Sequence, residues 1–156
     1  MTNGYFEDVV VGTVLEFGSK KVSKEEIIHF ATKYDPQPFH IDEEAAQASP
    51  YGGIIASGWH TAGMAMRMMV DNMINDRVGL GSPGWDNLKW HLPVRPDDTL
   101  RVRTEVIRKK RSVSKPMIGT IFGSMKVLNQ HDQIVMSVET IGMVKARTTG
   151  EAGQNR

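Results

Sequence analysis

The hydrophobic pattern changes period twice along this chain. From Val9 to Phe17, β-branched and apolar residues dominate, with a bend at Gly12-Thr13 before Val14-Leu15-Glu16-Phe17 alternates as a strand does. Gly18 and Ser19 then loosen the chain. Ser23-Lys24-Glu25-Glu26 is a capping box, in which the Ser23 hydroxyl accepts the Glu26 N–H and the Glu26 carboxylate reaches back. The helix it opens carries Ile27, Phe30, Ala31 and Tyr34 on one face. It is expected to stop at about Tyr34, because Asp35 precedes Pro36, whose ring pushes the preceding residue out of helical backbone. Asp42 predicts a second, short helix over Glu43 to Ala48, its acidic first turn suited to the positive end of the helix dipole. Pro50 and Gly52-Gly53 end it.

From Ser57 to Asn75 the pattern is helical again but apolar on most sides, with Trp59, Ala62, Met64, Ala65, Met66, Met68, Met69, Val70, Met73 and Ile74. Such a helix belongs in the middle of a fold. A membrane span competes, but His60, Arg67 and Asp71 interrupt the run within a length that barely crosses a bilayer. After it the chain is strand-like. Leu88, Trp90 and Leu92 alternate with polar partners, Leu100 to Ile107 follows Pro96-Asp97-Asp98, and Gly119 to Leu128 and Ile134 to Val144 flank the turn Asn129 to Gln133.

One strand, a helical region with one long apolar helix, and four strands in series make an α+β order. Short connections imply antiparallel neighbours, and a sheet curled around the long helix is the simplest way to bury it. One domain over residues 1–147 is expected, with residues 148–156 a small, polar tail that frays.

Composition narrows the function classes. Nineteen Lys and Arg against 18 Asp and Glu give a net charge of +1, which supplies no field to hold a nucleic acid or an anionic membrane. The absence of cysteine removes disulfides, Cys-ligated zinc and thiol nucleophiles, and fits a reducing cytoplasm, the expected location. Met1 to Val11 carries Glu7 and Asp8 and lacks the basic start and apolar stretch of a signal peptide.

The densest cluster of functional side chains is Asp35-Pro36-Gln37-Pro38-Phe39-His40-Ile41-Asp42, expected as a loop between the first two helices. Two prolines in three positions stiffen the backbone and remove donors, so side chains keep fixed directions. A carboxylate and an imidazole held together can share proton transfers near neutrality. Residue types alone leave this open beside a plain turn in which Asp35 caps N–H groups and His40 is a spacer.

That segment, followed by Ala45-Ala46, resembles the D-x-N-P-x-H-x-D motif of the MaoC-like dehydratases and R-specific enoyl-CoA hydratases (hydratase 2). Ile54-Ile55-Ala56-Ser57-Gly58-Trp59-His60 resembles the family's entry into its central helix, and Leu88-Lys89-Trp90 and Pro93 to Val102 its following strands, so the likeness spans about Gly12 to Lys145. It implies a single hot-dog fold, an antiparallel sheet wrapped around a long central helix. It also implies reversible addition of water to a 2-enoyl-CoA giving an (R)-3-hydroxyacyl-CoA, the work of a hydro-lyase. The family's catalytic aspartate and histidine fall on Asp35 and His40. The glycine whose N–H polarises the thioester carbonyl falls on Gly58, at a helix start where free N–H groups favour a developing oxyanion. Gln37 stands where the family has asparagine, and Gln37 and Ser57 are the expected substrate contacts. No cofactor is implied, since coenzyme A enters as part of an acyl-CoA thioester substrate. A homodimer or dimer of dimers is expected because one such sheet has open edges.

Other features divide. The methionines of the long helix fit core filling or an adaptable acyl pocket, and Arg108-Lys109-Lys110-Arg111 fits a solvated hairpin end or contacts to coenzyme A phosphates. His40, Asp42 and His60 spell a two-histidine, one-carboxylate metal set, but Asp42 is better used as a helix cap, so no metal is expected. Ala56-Ser57-Gly58 lacks the G-x-S-x-G elbow of a serine hydrolase. A hot-dog thioesterase and a non-catalytic acyl-thioester-binding subunit remain as alternatives, the second because of Gln37.

Overall fold

The computed structural model describes residues 4–75 and 78–148. Its elements run β1 (Val14–Lys21), α1 (Lys24–Tyr34), α2 (Pro38–Ile41), α3 (Glu43–Ala48), α4 (Gly58–Met69), β2 (Trp85–Trp90), β3 (Thr99–Arg111), β4 (Ile118–Leu128) and β5 (Ile134–Lys145). The strands form one antiparallel sheet in the order β1-β3-β4-β5-β2, which leaves β1 and β2 at its edges. Its inner face packs on α4. Met64, Ala65, Met68 and Met69 of α4 meet Leu100 and Val102 of β3, Met125 and Val127 of β4 and Val135, Met136 and Val138 of β5 in one core, with Val22, Ile27 and Ala46 closing it. The α+β architecture with a sheet around a central helix is therefore the one expected from the pattern.

Local chemistry explains the helix ends. Ser23 Oγ accepts the Glu26 N–H at 3.1 Å and the Glu26 carboxylate reaches back to the Ser23 N–H at 3.3 Å, the anticipated capping box. Asp42 Oδ1 accepts the Ala45 N–H at 2.8 Å and starts α3.

Several expectations are corrected. The first strand begins at Val14, not Val9: Phe6–Asp8 form a single 3-10 turn, and the chain reverses at Gly12, whose φ is +87°. β1 then continues through Gly18 and Ser19 by a bulge between Phe17 and Lys20. Gly18 has φ +86°, and the Met68 side chain fills the space a Cβ would need there. The Asp35–Asp42 segment is not all loop, because Pro38 starts the single turn α2, its fixed φ and missing N–H suiting a first helical position. Tyr34 projects outward rather than lining the inner face of α1. The helix expected over Ser57 to Asn75 is present, as α4 followed directly by a π-helical turn at Val70–Ile74, but it is not buried on all sides, since Trp59 and Met66 are exposed.

The basic run closes β3 at its hairpin end with β4, and much of it is committed to the protein. Lys109 Nζ donates to the Phe6 carbonyl at 3.0 Å, Arg111 pairs with Glu7, and the Arg108 guanidinium lies 3.4 Å from the centre of the Phe122 ring. The proposed polar tail, apart from Thr148, lies outside the described residues. No helix among the described residues is long and apolar enough to cross a membrane.

Candidate active site

Asp35 ends α1 in a non-helical conformation (φ −152°, ψ 66°) forced by Pro36, so its carboxylate leaves the helix axis. α2 returns the chain, which brings His40 alongside: His40 Nε2 stands 3.3 Å from Asp35 Oδ2. The other ring nitrogen is fixed from below. His40 Nδ1 lies 2.6 Å from the Ile55 carbonyl oxygen, and a carbonyl can only accept, so Nδ1 carries a proton and Nε2 is the nitrogen turned to the carboxylate, a bare acceptor whenever the ring is neutral. The Ile55 N–H in turn donates to the Phe39 carbonyl at 3.3 Å, so two bonds clamp α2 to the segment entering α4. His40 is buried and Phe39 packs edge-on against it at 4.5 Å.

Two donors hold the carboxylate. Ser57 Oγ donates to Asp35 Oδ2 at 2.7 Å and Gln37 Nε2 donates to Asp35 Oδ1 at 2.7 Å. Burial raises the pKa of Asp35, but these two hydrogen bonds, and the charge of His40 when its ring is protonated, lower it further, leaving it below the ordinary aspartate value and the group ionised at neutrality. The four residues act as a unit. Ser57 was expected to touch substrate, yet it is wholly buried: its hydroxyl is used on Asp35 and accepts the Trp59 N–H at 3.3 Å as the cap of α4. Gln37, by contrast, is exposed and faces the cleft while holding Asp35.

These groups open onto a cleft of about 490 Å³ at the start of α4. Asp35, Gln37, His40 and Gly58 line it, joined by aromatic walls from Phe39, Tyr51, Trp59 and Trp90 and by the turn after β2. The Gly58 N–H, at the first position of α4, makes no hydrogen bond among the described residues and is free to receive an oxyanion. The structure thus brings Asp35, Gln37, His40, Ser57 and Gly58 together from two separate stretches. The aromatic walls were missed as site residues. Trp90 and Tyr51 reach the cleft only through tertiary packing, and no local signal singles them out.

His60 opens away from His40, into a separate groove between β1, α1 and α4, where it stacks on Phe30 at 4.8 Å. With Asp42 capping α3, the His40–Asp42–His60 set does not converge. Among the described residues no group of three or more His, Cys, Asp or Glu is placed to hold a metal ion.

Comparison with known proteins gives the same outline. A family model described as MaoC like domain matches residues 8–121. Protein YdeM of Bacillus subtilis is 30% identical over 139 residues, 89% of this chain and 97% of that protein. A 3-hydroxybutyryl-CoA dehydratase of Methylorubrum extorquens is 34% identical over 107 residues, 65% of this chain and 63% of that protein. The crystal structure of a MaoC-like dehydratase from Rhodospirillum rubrum superposes with a TM-score of 0.82 at 36% identity, covering 92% of this chain and 98% of that one.

Proposed function

This chain belongs to the MaoC-like dehydratase family, and from that premise we propose that it catalyses the reversible addition of water to a 2-enoyl thioester, with Asp35 and His40 as the acid/base pair. One observation carries the reading. Asp35 Oδ2 and His40 Nε2 face each other at 3.3 Å, with the His40 Nδ1 proton already committed to the Ile55 carbonyl. Two acceptors in one cleft are both satisfied by a molecule that donates two protons, and water is the smallest such molecule.

Water held this way has its oxygen lone pair free to attack carbon 3 of the enoyl group while a proton passes to the pair. A proton is then returned to carbon 2. As the bond forms, the thioester oxygen gains enolate charge, and the Gly58 N–H at the positive end of α4 stabilises it. Proton transfer by such a pair is worth about 10²–10⁴-fold in rate. The product expected from the family likeness is the (R)-3-hydroxyacyl thioester. The carrier is taken to be coenzyme A, and a homodimer or dimer of dimers is proposed because β2 leaves a sheet edge open beside the cleft.

Asp35→Asn and His40→Gln test the assignment. Each should lower hydration of crotonyl-CoA by about 10²-fold or more while the circular dichroism spectrum is unchanged. Normal turnover in either variant sinks it.

A further inference from the structure

Trp90, the last residue of β2, walls the cleft beside the start of α4. Its indole lies flat against the first residue of α4, so a Cβ built on Gly58 would stand 2.3 Å from Trp90 Cε2 and 2.6 Å from Cδ2. Its Nε1–H donates to the Gly58 carbonyl at 3.1 Å, and Trp59 braces it edge-on at 5.2 Å between ring centres. The peptide group joining Gly58 to Trp59 is therefore held at both ends. Its carbonyl accepts from Trp90, and its N–H donates to Ser57 Oγ at 3.3 Å. That hydroxyl is the one that donates to Asp35 Oδ2. A continuous line of hydrogen bonds thus runs from the indole, through one helix-start peptide and Ser57, to the carboxylate.

We propose that Trp90 is a positioning residue of this site: by clamping the Gly58–Trp59 peptide it fixes the direction of the adjacent Gly58 N–H and the hydroxyl that orients Asp35. The inference rests on the hydration reading. It also accounts for glycine at position 58 on steric grounds, since the indole occupies the space of any side chain there. A backbone donor aimed at developing charge acts in the transition state far more than in the ground state, so loosening it lowers kcat and leaves KM nearly unchanged. A wall that merely contacts the acyl group would change KM instead.

The test replaces Trp90 in the full chain by Phe and, separately, by benzothienylalanine, which keeps the bicyclic shape and deletes only the N–H. The benzothienyl variant keeps the test decisive if Trp90→Phe folds poorly. With crotonyl-CoA, kcat should fall about tenfold in the benzothienyl variant, with KM within about twofold and the melting temperature and oligomeric state unchanged. A kcat within twofold of the parent, or a loss carried by KM alone, overturns the proposal while leaving the hydration reading intact. If the unmodified protein hydrates no enoyl thioester, both fall together.

Discussion

Ser57 and Gln37 each donate a 2.7 Å hydrogen bond to the same carboxylate, yet their removal should have very different consequences. Gln37 is exposed, so in Gln37→Ala water takes over the vacated site on Asp35 Oδ1, and the cost should stay within about 0.5 kcal/mol. Ser57 is wholly buried, and nothing in Ser57→Ala replaces its hydroxyl. A hydrogen bond to a charged group contributes about 1.5–3 kcal/mol, and loss of a helix cap costs about 1 kcal/mol. Because one hydroxyl makes both bonds, the sum is not fully additive, and about 2–3 kcal/mol is expected. At this chain length that corresponds to a fall in melting temperature of about 5–10 °C. Urea titrations of the two variants at pH 7 read the difference directly. The pH dependence gives a second check. The depressed folded pKa of Asp35 means its contribution is present above the unfolded value of about 3.9 and is lost as pH falls through the lower folded value. The gap between parent and Ser57→Ala should therefore narrow in that window. Equal midpoints for the two variants at pH 7 would refute the claim that burial decides which donor matters.

Two further predictions follow from burial and packing. His60 is buried with Nδ1 unpartnered, and burial holds its pKa below the ordinary value, opposed in part by Glu26 and aided by Lys20. The unfolded chain then binds the extra proton first, so stability should fall as pH drops from above about 6.5 toward the lower folded value and level off beneath it. In His60→Leu the urea midpoint should lose that segment of pH dependence, and an unaltered slope would count against it. Gly58→Ala should drive the Trp90 indole off α4 toward solvent, costing about 1–3 kcal/mol and shifting tryptophan emission to the red. Unchanged emission and melting temperature would show that the ring does not cover Gly58.

Much of this fold is legible in the residues because local chemistry and global packing agree. The Ser23/Glu26 box, the Asp42 cap and the Pro36 stop each act within four residues, and the structure has all three. The alternation that announces the last three strands survives because one face of each packs on α4. Where the reading slips, the deciding contact is distant. Val9 to Val11 look like strand, but the pull of Lys109 on the Phe6 carbonyl and of the Val106 carbonyl on the Gly12 N–H turns them into a reversal. Arg108–Arg111 do form the hairpin end of β3, but the contacts of Lys109 and Arg111 with the N-terminal turn come from far away in sequence. Within the site, Asp35, Gln37 and His40 were visible because they share one stiffened stretch. The buried position of Ser57 depends on α1 meeting the start of α4, and the placement of Trp90 depends on the end of an edge strand bringing its side chain to that helix start. Neither leaves a mark in local sequence.

The central claim is that this cleft adds water across an enoyl double bond without breaking the thioester. Crotonyl-CoA incubated with the protein in oxygen-18-labelled water addresses it directly, with product mass, configuration at carbon 3 and free thiol measured together. The account predicts loss of the enoyl absorbance, one heavy oxygen at carbon 3 of an (R)-3-hydroxybutyryl-CoA, and no thiol released. Thiol release with the double bond intact, or no change in the substrate at all, would contradict it.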